Sequence, residues 1–279
     1  MKNLGYYNGK CGEIESMSIP MTDRVCYFGD GVYDATYSRN YKIFDLDKHI
    51  DRLFNSARML EILMPMSKKA LNALLNELVC KMDTPNNFVY FQVTRSSGIR
   101  SHTYDARVKG NLWINIFPKE INDIDKKVKL ISMQDTRFFH CNIKTLNLIP
   151  SVMASQRAKE MGCDEAVFHR NGRVTECAHS NIHIIKNGAF ITAPLDCLIL
   201  PGITRENLIA ECKKLGVPVV ERAFYLEELM FADEVIISSA GSLCLQVESI
   251  DGIKVGEKNP EILHALKQNM LETFLRKTE

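Results

Sequence analysis

The chain lacks the short motifs that announce several common chemistries. No HExxH pair occurs among its seven histidines and no GxSxG turn is present, which disfavours a metallohydrolase or a serine hydrolase and leaves no expected metal site. Nine cysteines, at 11, 26, 80, 141, 163, 177, 197, 212 and 244, form no CxxC pair and are odd in number. Such a set reads as reduced thiols in a cytoplasmic protein rather than a disulfide framework or a zinc site. Charge of one sign is also lacking, since 35 basic residues stand against 34 acidic ones for a formal net charge of +1. With no basic cluster, neither nucleic acid nor an anionic membrane is an expected partner. No apolar run approaches a membrane span, and "MKNLGYYNGKCGEIE" has no signal-peptide core. Gly29 and Gly31 in "FGDGVYD" lack the further glycines and the strand-to-helix context of a dinucleotide loop.

What is present suits a globular protein of one large or two modest domains: 279 residues, 46% hydrophobic and 25% charged. The turn chemistry is legible. Asn8-Gly9 predicts a hairpin, as do Asn171-Gly172 and Asn187-Gly188, because Asn-Gly tolerates paired positive φ angles. "ATYSRNYKIF" predicts a strand pair turning at Arg39 and Asn40. Asp47 is the expected cap of a helix over 48–61, and Ser67 of one running to Met82. "NNFVYFQVTR" and "GNLWINIFP" predict strands joined by a long polar loop, the kind of segment that tends to carry binding residues. Residues 119–125 are the expected linker between a domain over 1–118 and one over 126–279. Beyond it come a strand at "KKVKLISMQ", helices near 150–161, at "PGITRENLIAECKKLG" between Gly202 and Gly216, and over 260–277, and several hairpin strands. Frequent hairpins with interspersed helices predict an α/β fold with mixed sheets.

One lysine is awkwardly placed. If "CNIKTLNLIP" runs extended, Lys144 shares a face with Leu146 and Leu148. A buried, unpaired ammonium is costly, so Lys144 must snorkel to water, meet an anion, or have its charge removed chemically. Snorkelling is the commoner fate of a single lysine in an apolar segment. A Schiff-base lysine would instead require a carbonyl cofactor, an anion for its ring nitrogen, a phosphate site and a trap for a substrate carboxylate. Each has a candidate. Gly202, Ile203 and Thr204 in "LPGITRENL" open a helix whose N-H groups could hold a phosphate, with Arg52 in "HIDRL" as an added charge. Glu176 could face a ring nitrogen, and Arg95, Arg100 and His102 in "RSSGIRSH" could bind a carboxylate. Singly, each also reads as an ordinary cap, a solvated helix-face arginine, a turn glutamate or a solvated loop.

Taken in order, "FGDGVYD", "HIDRL", "VYFQVTR" with "RSH", "IKTLNL", "EAVFHRNGRVTE" with "SN", and "PGITR" resemble the fold-type IV, or class IV, pyridoxal-phosphate transaminases over nearly the whole chain. The resemblance implies a two-domain fold with pyridoxal 5'-phosphate between the domains of a homodimer. Lys144 matches the lysine that carries the cofactor as a Schiff base and moves the proton between Cα and C4′. Glu176 matches the partner of the pyridine nitrogen. Arg52, the Ile203 and Thr204 amides and Ser239 match the phosphate cup. Tyr33, Arg100 and His102 match the α-carboxylate trap, the last two reaching in from the neighbouring subunit, and this trio favours the D-amino acid branch.

The implied activity is a ping-pong transfer of an amino group from a D-amino acid such as D-alanine to a 2-oxo acid. Alternatives on the same fold are a branched-chain L-amino acid aminotransferase and an aminodeoxychorismate lyase. A cofactor-binding protein without turnover is the alternative of a different class. The chain departs from the family pattern at Ala35, Tyr37, Cys177, Ala178, His179, His183 and Ala240. Leu146 and Leu148 are expected to pack beneath the cofactor's anchor.

Overall fold

A computed structural model describes residues 1–279, which divide into two compact units. The first comprises Met1–Glu120, Ile143–Asn147 and Phe274–Glu279, and the second Ile121–Asn142 and Leu148–Thr273. Neither is one continuous stretch of sequence. Residues 143–147 belong to the first because their backbone bonds to it, and Phe274 because its ring meets Phe44 edge-on at 5.0 Å.

The first unit holds strands β1 (Leu4–Tyr7), β2 (Lys10–Gly12), β3 (Gly31–Arg39), β4 (Lys42–Ile43), β5 (Asn87–Thr94) and β6 (Asn111–Pro118). They form one sheet in the order β2-β1-β6-β5-β3-β4, antiparallel throughout. Period-two alternation divides its faces. Val89, Phe91 and Val93 of β5, with Ile114 and Ile116 of β6, share a dry core with helices α2 (Leu46–Met59) and α3 (Lys68–Val79). Leu46, Ile50, Leu53 and Ala57 give α2 its buried stripe at helical spacing. The opposite face carries Tyr33, Tyr90, Gln92 and Trp113, polar at their tips. A short helix, α1 (Arg24–Phe28), precedes β3 and ends at Gly29 in the left-handed region.

Asn8 and Gly9 turn the first hairpin with φ of 45° and 94°, as their chemistry predicts. Two expectations shift. The β3–β4 turn is Asn40-Tyr41, both left-handed, rather than Arg39-Asn40. Helix α2 starts after Asp45 rather than Asp47, since burial of Phe44 and Leu46 draws the chain into the helix earlier, and Asp47 instead accepts from Asn72 at 2.7 Å.

The second unit contains β7 (Lys127–Gln134), α4 (Ile149–Glu160), β8 (Glu165–Arg170), β9 (Arg173–Cys177), β10 (Asn181–Lys186), β11 (Ala189–Thr192), α5 (Ile203–Lys214), β12 (Val219–Glu221), α6 (Leu226–Met230), β13 (Glu234–Ser238), β14 (Leu245–Ile250), β15 (Ile253–Lys254) and most of α7 (Pro260–Lys277). Its sheet runs β12-β11-β10-β13-β14-β7-β8-β9, with β15 on β14. It is mixed: β7 is parallel to both β8 and β14, while hairpins supply antiparallel pairs. Val128, Val167, Ile182, Ile184, Val235 and Val247 form its core.

"CNIKTLNLIP" is not a strand. Only Thr145 makes a ladder contact, an isolated bridge to Val32, and Leu148, 37% exposed, is the N-cap of α4. Leu148 therefore does not share a buried face with Lys144. Leu146 packs over Gly31, where an added Cβ would stand 2.7 Å from Leu146 Cδ1 and 2.9 Å from the Val93 carbonyl oxygen. The backbone carbonyl cannot swing aside as a leucine tip can. Gly31→Ala is accordingly expected to cost about 1–3 kcal/mol of stability, read by chemical denaturation.

Candidate active site

Lys144 is held by its backbone against the start of β3. Its carbonyl accepts from Tyr33 N at 3.0 Å, its N-H donates to Ser56 Oγ at 3.2 Å, and Leu146 N donates to the Gly31 carbonyl at 3.1 Å. With the backbone fixed at both ends, the half-buried side chain points along Tyr33, its Nζ 4.3 Å from the ring centroid. Tyr33 in turn stacks on Tyr90 at 5.4 Å. An ammonium over an aromatic face is attracted by the ring quadrupole, which eases its partial burial.

Arg52, on α2, reaches the far side of β3. Its Nε and Nη2 donate to the two oxygens of Asp34, each at 2.8 Å, and His49 Nδ1 lies 2.7 Å from Asp34 Oδ1. Burial alone would raise the Asp34 carboxyl, but the charges and hydrogen bonds of Arg52 and His49 hold it well below the usual carboxylate range. Arg52 is thus a guanidinium fixed in orientation by a fully buried carboxylate, not a solvated helix-face arginine. The sequence reading singles out neither Asp34 nor His49, although Asp34 and the HxxR spacing of α2 carry the signal.

The polar loop separates its three candidates. Arg95 is buried rather than exposed: it donates to Asp30 at 2.9 Å and 3.0 Å and to the carbonyls of Leu60 and Glu61. Its role is to anchor the loop, together with Arg24, which bonds Asp30 and the Ser101 and Thr103 carbonyls. Arg100 and His102 are exposed and share one platform, the ring of Phe28, at 5.1 Å and 5.3 Å. Tyr33 has its contacts with Lys144 and Tyr90 instead.

In the second unit Glu176, one residue before the end of β9, is a buried carboxylate. Oε1 pairs with Arg137, and Oε2 accepts from Asn181 Nδ2 at 3.1 Å and Leu200 N at 3.0 Å. Arg137 also forks onto Asp135, which bonds Arg170 as well. Burial would raise the Asp135 carboxyl, but Arg137 and then Arg170 hold it down. Asn181 links this carboxylate to the candidate phosphate helix, since its Nδ2 also donates to the Leu200 carbonyl at 3.0 Å. A Cβ on Gly202 would stand 2.0 Å from Asn181 Oδ1, so only glycine fits that turn. Gly202 caps α5 without a side-chain bond, and Ile203 and Thr204 lie buried in its first turn. Asn181 pairs with Ser238 across β10 and β13, which brings the following Ser239 to the same end of the sheet. Asn181 thus bonds Glu176 and abuts Gly202, the residue before Ile203 and Thr204, and its strand partner Ser238 precedes Ser239. The sequence reading misses Arg137 and Asn181, because a charged residue two positions after Asp135 and an asparagine after a polar turn are unremarkable.

The family model for amino-transferase class IV matches residues 31–250. The chain belongs to the class IV aminotransferases. It is 38% identical over 275 residues to a D-alanine aminotransferase of Listeria monocytogenes, an alignment covering 96% of this chain and 95% of that one. Its fold is that of the Escherichia coli branched-chain amino acid aminotransferase, with TM-score 0.90, 22% identity, and 100% and 97% of the two chains covered. It also matches a branched-chain aminotransferase from the thermophilic archaeon Thermoproteus uzoniensis with norvaline, at TM-score 0.90, 22% identity and coverage of 99% and 96%. A further branched-chain amino acid aminotransferase, solved with pyridoxamine 5'-phosphate, matches at TM-score 0.89, 22% identity and coverage of 98% and 94%.

Where this class IV aminotransferase departs from the family pattern, the side chains have other work. Cys177 and Ala178 are buried, and the turn beyond them is tied to buried Glu165, which accepts from His179 N at 2.6 Å and Ser180 Oγ at 2.9 Å. His183 lies wholly inside, between Thr192 Oγ1 at 2.9 Å and Ser238 Oγ at 2.8 Å. Burial first, and the nearby Arg205 second, hold its imidazole down to about 3. Its unfolded value is about 6.5, so between these values the unfolded chain binds the extra proton. The stabilising effect of a neutral His183 is complete above about pH 6.5 and is lost as pH falls towards about 3. His183→Gln, which keeps polar partners but does not titrate, is expected to flatten the loss of unfolding free energy between about pH 6.5 and about pH 4, by at most about 1.4 kcal/mol per unit. Urea titrations at a series of pH values measure it.

Proposed function

We propose that this aminotransferase uses pyridoxal 5'-phosphate to move an amino group from a D-amino acid, D-alanine among them, to a 2-oxo acid, and that it works as a homodimer. The observation that carries the choice of donor is the presentation of Arg100 and His102 together on Phe28, a guanidinium and an imidazole on one exposed platform. The relative named a D-alanine aminotransferase, at 38% identity, supports the same choice.

The side chains present fit that cofactor. The first turn of α5 opens at Gly202 without a side-chain cap bond, which suits a phosphate, and Ser239 follows the strand partner of Asn181; Arg52 is a guanidinium held in one orientation, which by its chemistry also suits a phosphate. The buried carboxylate of Glu176 suits a protonated ring nitrogen, and the Lys144 amine suits an aldehyde. Pyridoxal 5'-phosphate supplies, when bound, an aldehyde carbon for the amino nitrogen and a conjugated ring that takes up the electrons of the broken Cα–H bond.

The chain's residues do the rest. Lys144 Nζ would carry the proton between the substrate Cα and the cofactor's C4′, its backbone held still by Tyr33 and Gly31. Glu176 would keep a proton on the cofactor's ring nitrogen, and its own position is set by Arg137, Asn181 and the Leu200 amide. Tyr33, Arg100 and His102 bind the α-carboxylate, the latter two offered by the second copy. Arginine at this task gives a planar, two-point grip that fixes which face of Cα meets the amine.

Purified protein with D-alanine and 2-oxoglutarate is expected to form pyruvate, and with L-alanine none; a preference for the L form overturns the choice of donor. Arg100→Ala is expected to raise KM for both substrates by about tenfold or more while leaving the visible absorption of the bound cofactor unchanged. Lys144→Ala is expected to abolish both turnover and borohydride trapping of cofactor on the protein, followed by intact-mass spectrometry.

A further inference from the structure

Gln92 lies in the middle of β5, directly opposite Tyr33 on β3 and Trp113 on β6. Opposed residues of antiparallel strands project from the same face, about 5 Å apart at Cβ. The Gln92 side chain therefore shares a face with Tyr33, whose ring carries the Lys144 amine. Tyr90, two residues earlier on the same strand, shares that face too.

Gln92 is only 3% exposed, yet its Nε2 has no hydrogen-bond partner. Its Oε1 accepts from the Tyr90 hydroxyl at 2.7 Å. Burial, and then the proximity of Tyr33, push that hydroxyl well above the ordinary phenol value, so it stays protonated. In this bond the amide oxygen faces Tyr90 and the nitrogen is turned away. A buried donor left unpaired is destabilising, and an apolar side chain of similar size would avoid the penalty. Three other buried side-chain atoms are orphaned, on Arg39, Asn86 and Arg173, but only Gln92 has Tyr33 as its strand partner.

The groups around the amide select its ligand. Lys144 carries an amine and Tyr33 a hydroxyl, both able to donate, while the nearby Trp113 N-H is already spent on Asn115 at 3.0 Å. A cluster of donors without a carboxylate calls for an anionic oxygen. We propose that Gln92 Nε2 donates to an α-carboxylate oxygen of the amino acid and 2-oxo acid substrates, beside Tyr33. The α-carboxylate is the group that adjoins the carbon on which Lys144 acts, whereas a side-chain carboxylate is farther from it. Gln92 is thus a binding residue for every donor alike rather than a selector among side chains.

This inference rests on the proposed aminotransferase reading of the Lys144 site, and the experiment separates it from the choice of D donors. The protein reconstituted with pyridoxal 5'-phosphate is compared with Gln92→Glu and Gln92→Leu, using D-alanine with 2-oxoglutarate as acceptor, D-glutamate with pyruvate as acceptor, and the L forms of both donors. Gln92→Glu keeps an acceptor for Tyr90 and replaces the donor with an anion; Gln92→Leu removes the amide. KM for D-alanine, D-glutamate and pyruvate is expected to rise together by about tenfold to a hundredfold, with kcat within about threefold of wild type. The thermal midpoint of each variant reports folding, and Gln92→Leu decides if the charged variant does not fold. Unchanged KM values overturn the inference, as does a rise confined to D-glutamate, which would place Gln92 at the side chain. A wild-type protein active only on L donors overturns the D-amino acid reading, and the same KM rise for those donors still supports Gln92.

Discussion

Two backbone hydrogen bonds decide where the reactive amine stands: Tyr33 N to the Lys144 carbonyl and Leu146 N to the Gly31 carbonyl. They join a segment more than a hundred residues away in sequence to the first residues of β3. Close approach requires Gly31, because a Cβ there would meet both Leu146 and the Val93 carbonyl. Once the backbone is fixed, the lysine side chain has little choice but to lie along Tyr33, and Tyr33 is itself braced by Tyr90. The face of the sheet that carries these rings is the one not committed to the core with α2 and α3.

Buried and partly buried carboxylates give the other fixed points. Asp34 orients Arg52, Asp30 gathers Arg24 and Arg95, and Asp135 with Glu176 holds Arg137. Such pairs add little net stability compared with a well-packed apolar replacement, but they are directional and costly to break. Direction is what these positions need. A guanidinium locked by two parallel bonds presents the same edge every time, and a carboxylate pinned by Arg137, Asn181 and a backbone amide does not rotate. The loop bearing Arg100 and His102 is similarly fixed at its base by Arg95, leaving its tip exposed.

Local chemistry makes much of the fold legible. Asn-Gly pairs, the Ser67 cap, period-two strands and the Gly202 helix start are each decided by a few neighbouring residues, so their positions can be read directly. The differences arise where burial overrides a local signal. Asp47 is a sound cap by type, yet burial of Phe44 and Leu46 begins α2 at Asp45. "CNIKTLNLIP" reads as a strand by its alternation, yet Gly31 and Gly29 receive it as an irregular crossing with one bridge. Proximity in sequence groups Arg95 with Arg100, although one is buried on Asp30 and the other rides on Phe28.

The sequence by itself determined the chemical inventory: a lysine among leucines, a glutamate before a polar turn, a glycine opening a helix, and an arginine and histidine in one loop. It also determined the family, because those parts recur in a fixed order along the chain. Only the tertiary structure decided which charges are spent on each other. Pairing of Arg52 with Asp34 and of Arg137 with Glu176 joins residues on different elements, and no local rule specifies such partners. The same holds for the unpaired amide of Gln92, since whether a buried donor is satisfied depends on every neighbour at once rather than on its own strand.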